Sequence, residues 1–418
     1  MTEEHEGASQ PPLRIYWVNQ YAVSPDQPGG TRHFDFASEL QRRGHRVHLI
    51  ASDLNLSTRQ YSRRKGPMDL RARVERIGGV EFRWLTAGNY RNNNWRRVAS
   101  MVVFGAAAFR HLLRAQKDDR TVIIGSSPHL FAAFGAWAAA KLRRVPFVFE
   151  VRDLWPESYS EVSGRDSGPE VTVLRLVADL LYKRSDAIIV LADSNVDRIC
   201  ERGVRRSRIT LVPNGVDINV FERTEEGVDL ALPGVFTFVY AGAHGPANDL
   251  RTVVDAAAEL QERGRDDIGI VLLGDGSTKD DLISRATELG LTNIRFHDPV
   301  PKSGIAATLR SADAGLMVLA PVDLFTYGVS PNKLFDYMGA GLPVLANVPG
   351  LVADIVARAD VGATVPGGDP IALADGMEKM TDAPPVDAAE NGSRFIRAHY
   401  DRRKLAAKVE QLLGSLRS

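Results

Sequence analysis

The sequence is poor in the features that assign a function most quickly. It has one cysteine, Cys200, in 418 residues, so no internal disulfide can form, and there is neither a CxxC pair nor a Cys/His cluster to hold zinc. A reducing cytosol fits that usage. The longest apolar runs, 101–109 and 131–140, fall well short of the roughly 18–20 residues that cross a bilayer, and no transmembrane helix is expected. The first residues, MTEEHEGASQPP, are acidic and polar where a signal peptide would be basic and then apolar, so they read as a loose tail. Net charge is missing too: 52 Lys and Arg balance 52 Asp and Glu. With 44% hydrophobic and 25% charged residues, the chain is not disordered, collagen-like or disulfide-stapled.

What is present begins with an uneven distribution of that charge. Residues 1–200 carry 29 basic and 22 acidic residues, a surplus of +7 that the remainder cancels. Two modules with different partners are expected, and the length agrees with two domains. Strand-like runs recur with helical stretches between them: 13–19, 46–52, 80–84, 121–126, 147–151, 187–192 and 209–213, and then 236–242, 268–274, 293–298, 314–320, 343–347 and 362–366. Several are continuously apolar, as strands covered on both faces of a parallel sheet must be. The pattern predicts an α/β protein of two doubly wound, Rossmann-like domains, residues 1–212 and 213–394, parted near Pro213-Asn214-Gly215. The remaining stretch, 395–418, follows no strand of its own and reads as a C-terminal helix that can pack back on the first domain.

Residues 59–117 hold 14 Lys and Arg against Asp69, Glu75 and Glu81. Within them Val98, Met101, Val102, Phe104 and Phe109 form an apolar stripe flanked by cations. That pattern suits an anionic membrane interface, and equally a solvated basic face on a core helix. No nucleic-acid-binding module accompanies the charge, and no nucleic-acid partner is expected.

Open α/β sheets bind ligands beyond the carboxyl ends of their strands, so the loops leaving strands matter most. After the first strand comes SPDQPGGTRHF, which is not a GxGxxG. Gly29-Gly30 lets backbone approach a ligand, and Thr31-Arg32 opens a helix whose amides suit an anion; the plain alternative is a flexible turn. After 147–151, Glu150, Arg152, Asp153 and Glu157 crowd the end of a buried strand. Four ionisable groups there are costly unless paired or working. They read as an acceptor-side site, with Asp153 or Glu157 receiving a hydroxyl proton or binding sugar hydroxyls, or as an Arg152 ion pair with Asp153 or Glu150 that only positions the loop.

The segment 327–344, YGVSPNKLFDYMGAGLPV, says most. Ser330 is a natural N-cap and Pro331 suits the first helical position. The amides of Asn332 and Lys333 would leave a helix N-terminus beside the Lys333 ammonium, a cradle for a diphosphate. Asp336 shares that face and could accept both hydroxyls of a ribose diol; a capped core helix with an incidental Lys333–Asp336 pair is the alternative. In support, Ser277 and Asp280 are expected to form a capping box after Gly274-Asp275-Gly276, and the backbone from Asp298 to Val300 could read a base edge.

Taken together, GGTRHF, FEVRDLWPES, VPNGVD, VYAG, LLGDG and SPNKLFDYMGAGLPV resemble the retaining nucleotide-sugar glycosyltransferases of family 4, with their GT-B fold, and most nearly the branch that builds bacterial O-antigen, capsule and related surface glycans, including fucosaminyl-type transferases. The resemblance implies metal-independent, cofactor-free transfer of a hexosyl or N-acetylhexosaminyl group, with retention, from a nucleotide diphosphate sugar, UDP-linked, to a glycan or lipid-linked glycan. It implies a protein of the cytoplasm or of the inner membrane face. Gly30, Thr31 and Arg32 would meet the donor phosphates from the first domain. Gly242, Asp298, Val300, Pro331, Asn332, Lys333, Leu334 and Asp336 would bind the donor in the second. Arg152 and Asp153 fall at catalytic positions, with Glu150 and Glu157 on the acceptor side. The chain departs from the family pattern twice. Gly328 stands where the first of two glutamates is usual, and after VYAG no Lys or Arg appears until Arg251, so phosphate charge falls to Lys333, Arg32 or Arg152, with His244 nearby. A UDP-sugar 2-epimerase of the same fold and a non-catalytic scaffold that binds nucleotide sugar or membrane are the rival readings.

Overall fold

The computed structural model describes residues 11–27, 29–54, 61–63, 71–88, 95–128, 130–163, 167–222, 226–322 and 332–417. The strands are β1 (Arg14–Val18), β2 (Arg46–Ser52), β3 (Arg73–Ile77), β4 (Val80–Leu85), β5 (Thr121–Ser126), β6 (Phe147–Val151), β7 (Ala187–Val190), β8 (Ile209–Leu211), β9 (Phe236–Ala241), β10 (Ile268–Leu273), β11 (Ile294–His297), β12 (Ala314–Met317), β13 (Val344–Ala346) and β14 (Gly362–Thr364). They form an eight-stranded sheet in the order β3-β4-β2-β1-β5-β6-β7-β8 and a six-stranded one in the order β11-β10-β9-β12-β13-β14. Both are parallel apart from β3, which pairs antiparallel with β4. Helices cover both faces, so β5, β6, β7, β10 and β12 are buried at every position. These are the doubly wound domains expected from the continuous apolar runs.

The sequence pattern has no signal for β3. Its residues, RVERI, carry charges on a mostly exposed edge strand, and charge on an edge is how sheets avoid pairing with other chains.

The 395–418 stretch is two helices rather than one. Helix Ala388–His399 ends at Tyr400, and Asp401 then caps helix Arg402–Ser415 by accepting from the Arg403 amide at 2.9 Å. The second helix buries Leu405, Ala406, Val409 and Leu413 in the same cluster as Leu13, Ile15, Phe36 and Leu40 of the first domain. The chain thus crosses between domains twice, and the crossings bind each other: the Val216 amide donates to Tyr400 O at 3.0 Å and the Arg402 amide to Val216 O at 3.1 Å. Gly215 makes that contact possible. It sits at φ +58, and a Cβ there would lie 2.3 Å from Tyr400 O and 2.6 Å from Leu405 Cδ1. Gly215→Ala is expected to lower stability by about 1–3 kcal/mol from backbone conformation alone, with the clash adding to it, measured by urea unfolding of the whole chain.

Candidate active site

The loops leaving the two sheets help to enclose a cleft of about 510 Å³, lined in part by residues of loops that follow strands: Gly29 and Gly30 in the loop after β1, Arg152 and Asp153 after β6, Gly242 after β9, Gly274 after β10, and Pro299 and Val300 after β11. Close packing of main chain fixes the floor. A Cβ on Gly274 would fall 1.8 Å from Gly242 O, and one on Gly242 would meet Lys333 Cδ at 3.1 Å.

Helix Asn332–Ala340 supplies the second domain's functional face. Leu334, Phe335, Tyr337 and Met338 are buried in the core, which turns Asn332, Lys333 and Asp336 to the cleft they line. Lys333 Nζ donates to Tyr240 Oη at 2.9 Å and Asn248 Oδ1 at 2.8 Å, and lies 4.4 Å from the Tyr240 ring centre. No carboxylate pairs with it among the described residues. Burial, with nothing to offset it, pushes its pKa down to about 7. Asn332 Oδ1 is also buried without a hydrogen-bond partner among the described residues. Asp336 is bound by Lys302, Nζ to Oδ2 at 2.6 Å, so the incidental Lys333–Asp336 pair does not form.

The facing wall comes close. A Cβ on Gly30 would stand 3.0 Å from Asn332 Nδ2, so the glycine loop of one domain reaches the helix N-terminus of the other. Next to it, the Ser127 hydroxyl accepts from the amides of Arg152 at 2.8 Å and Asp153 at 3.1 Å and fixes that loop. Arg152 Nε is buried with no hydrogen-bond partner among the described residues. Desolvation raises the Asp153 carboxyl above its ordinary value, with Arg152 opposing.

Several residues expected in the site stand elsewhere. Arg32 is 1% exposed and spends its guanidinium on Glu150 at 3.0 Å and on the carbonyls of Val212 at 2.9 Å and Pro213 at 2.5 Å. Glu150 is fully buried and also holds His33 Nε2 at 2.9 Å and Ser126 Oγ at 2.5 Å, so it ties elements together and does not face an acceptor. Glu157 pairs with Arg202. Thr31 donates to Asp35 at 2.8 Å. The Asp298 carboxylate binds Lys279 at 2.6 Å in solvent, leaving Pro299 and Val300 to line the cleft. Leu334 is core. His244 is buried, and burial with Lys279 and Lys333 nearby takes it down to about pKa 4, so it adds no phosphate charge at neutral pH. The Ser277–Asp280 capping box does not form; helix Lys279–Glu288 starts after Thr278, whose amide and hydroxyl bind His244 O at 3.0 and 2.9 Å. Pro331, Ser330 and Gly328 lie outside the described residues, as do Arg59, Arg64, Lys65 and Arg91 of the basic segment.

Comparison with known proteins agrees with this geometry. Residues 29–215 match the family model of the glycosyl transferase 4-like domain, and residues 235–383 match that of the glycosyl transferases group 1. A D-inositol 3-phosphate glycosyltransferase of Corynebacterium efficiens is 27% identical over 263 residues, 59% of this chain and 60% of the relative. The putative colanic acid biosynthesis glycosyl transferase WcaI of Escherichia coli K12 is 26% identical over 264 residues, 59% of this chain and 62% of that protein. The matched region thus spans about three fifths of either relative's length. The HepE protein of Anabaena, solved in complex with UDP and glucose, superposes with a TM-score of 0.69 at 16% identity, covering 96% of this chain and 100% of that one. Every residue lining the cleft falls inside one of the two matched segments, and the chain carries a glycosyl transferase 4-like domain followed by a glycosyl transferases group 1 domain, in the two-domain arrangement of the GT-B fold.

Proposed function

We propose that this protein is a retaining glycosyltransferase that moves a sugar from a UDP-linked donor to a glycan or lipid-linked glycan acceptor of a bacterial surface polysaccharide. The observation that carries this reading is Lys333: a desolvated ammonium with no carboxylate partner, at a helix N-terminus in the floor of the interdomain cleft. Such a charge is expensive to keep unless an anion completes it. A sugar diphosphate laid between the Gly30 loop and the amides of Asn332 and Lys333 does so, without a metal. As the glycosidic bond breaks, negative charge grows on the leaving phosphate, and fixed cations and amides stabilise that charge best in the transition state. The same phosphate oxygen takes the acceptor's proton on the face it leaves, which retains the configuration. Asp153 stands on the opposite wall to orient or assist that hydroxyl, with Arg152 beside it. The relatives' names, a D-inositol 3-phosphate glycosyltransferase and a putative colanic acid biosynthesis glycosyl transferase, support a sugar or phosphosugar acceptor, and the UDP and glucose bound by HepE support the donor. Radiolabelled UDP-sugars incubated with extracted lipid-linked glycans test this directly: label passing to the glycan is expected, while nucleotide binding with no turnover would leave a scaffold.

The acceptor reading places the first domain at an anionic membrane. No helix among the described residues is long and apolar enough to cross one, but helix Trp95–Arg114 exposes Val98 (48%), Val102 (48%) and Val103 (45%) with Arg110 and Arg114. Met101 and Phe104, read from the sequence as part of that stripe, are buried instead. Co-sedimentation with phosphatidylglycerol-containing vesicles is expected, falling as salt rises and falling in a Val102→Asp, Val103→Asp variant; equal binding to neutral vesicles would discard the dock.

A further inference from the structure

Lys302 corresponds to no feature singled out in the sequence, yet its ammonium lies 2.6 Å from Asp336, with both side chains mostly enclosed, at 13% and 15% exposure. Both line the cleft. Asp336 is four residues along its helix from Asn332, roughly 6 Å by helical rise. A bare carboxylate there would repel a diphosphate held at the helix N-terminus, because like charges a few ångströms apart inside a protein interact strongly. Lys302 removes that conflict, and by holding Oδ2 it leaves Oδ1 as the open acceptor. It also stands two residues after Val300, at the end of the wall formed by Pro299 and Val300. A ribose bridging a base on that wall and a diphosphate beside Lys333 would pass this pair.

We propose that Lys302 is the positioning residue that makes Asp336 a ribose reader: it neutralises the carboxylate beside the diphosphate and aims its free oxygen at the 2′-hydroxyl, so that the site selects ribonucleotides over 2′-deoxyribonucleotides. This rests on the donor reading above. It differs from a structural staple in its consequences, since a staple would stabilise the loop without setting any preference for the sugar of the nucleotide.

The test is calorimetric titration of the full chain with UDP, 2′-deoxy-UDP and GDP. The unaltered protein is expected to prefer UDP to 2′-deoxy-UDP by about tenfold or more, the loss of one hydrogen bond to a charged acceptor. Lys302→Met should weaken UDP by about tenfold and shrink the preference below about threefold. Adding Asp336→Asn to Lys302→Met should restore part of the lost UDP affinity, because a neutral amide needs no shield; Lys302→Arg should keep both affinity and preference. If the Met variant does not fold, Lys302→Gln serves, since it too removes the ammonium; it should weaken UDP and shrink the preference over 2′-deoxy-UDP, and a preference unchanged in it overturns the inference in the same way. An unchanged preference in Lys302→Met, or a double variant no tighter than the single one, overturns the inference while leaving the donor site intact. If neither UDP nor GDP binds the unaltered protein, the donor reading itself fails and this inference with it.

Discussion

Lys333→Met is expected to slow sugar transfer by about 10²–10³-fold, the cost of deleting one preorganised charge from a transition state whose leaving group is a diphosphate. The fold should survive the change. Lys333 makes no ion pair among the described residues, and its two hydrogen bonds go to the neutral partners Tyr240 and Asn248. Methionine fills a similar volume without a desolvated charge, so the unfolding midpoint of the variant should match or exceed that of the unaltered chain. Retained transfer would remove the cradle from the mechanism, and a collapse of stability would show that the lysine is structural.

The same residue gives the donor site a pH dependence whose sign can be worked out. With its pKa pushed down to about 7, Lys333 is partly neutral at physiological pH in the free protein. A bound diphosphate favours the ammonium and raises that value. Binding therefore takes up a proton above about pH 7, and nucleotide-sugar affinity should be level below that point and weaken by up to about tenfold per pH unit above it. In the free protein the lowered value works the other way: the unfolded chain binds more protons between the folded value and the ordinary lysine value, so this group makes stability rise with pH across that window. Calorimetry from pH 6 to 9 in buffers of different ionisation enthalpy separates the two effects. Affinity that stays constant through pH 8.5 would mean that the diphosphate does not contact Lys333.

Much of this site can be read from the chain because its logic is local. Asn332, Lys333 and Asp336 share one helix face, and a helix period is visible in a run of nine residues. Gly30 and Gly242 mark strand-to-helix turns, where sequence punctuation is strongest. The partners are another matter. Lys302 reaches Asp336 across 34 residues, and Asn248 reaches Lys333 across 85; nothing in a lysine before a short turn or an asparagine in a loop announces such a contact. Tyr240 reads as one more core residue of a buried strand, and its ring is indeed buried. The only signal was position, since Asn248 and Lys302 both lie in loops that leave strands of the second sheet.

Charged residues within the buried motifs were the least legible, for a related reason. A charge at the end of a buried strand must be paired or working, and sequence cannot tell which when the partner is more than a hundred residues away. Glu150 and Arg32 are 118 residues apart, and each looks functional alone. Strands were easier. Burial on both faces writes a continuous apolar run into each central strand, whereas β3 needed only one neighbour and left no such trace.

That buried pair carries the second large expected effect. Arg32→Met should destabilise the protein by about 3–5 kcal/mol, because it leaves the Glu150 carboxylate, which has no exposed surface, without its counterion. His33 is the other close partner, its Nε2 at 2.9 Å from Glu150; in the native protein burial lowers its pKa from the ordinary imidazole value, with Glu150 opposing. The substitution also strips donors from the carbonyls of Val212 and Pro213, the linker between domains, and leaves Arg402, bound to Asn214 O at 3.1 Å, to hold that linker. A pH series distinguishes the electrostatic part from the packing part. In the native protein desolvation would raise the Glu150 carboxyl, but His33 and Arg32 outweigh it and hold the group well below its ordinary range; a depressed carboxyl contributes stability that is complete above the unfolded value and is lost as pH falls through the folded one. Without Arg32 that folded value must rise, so acid unfolding should begin at higher pH in Arg32→Met than in the unaltered chain, and Arg32→Met with Glu150→Gln should recover part of the loss at neutral pH. A double variant as unstable as Arg32→Met alone would place the whole cost in the linker hydrogen bonds, and the pair would then matter for how the two domains are joined and not for the charge at the end of β6.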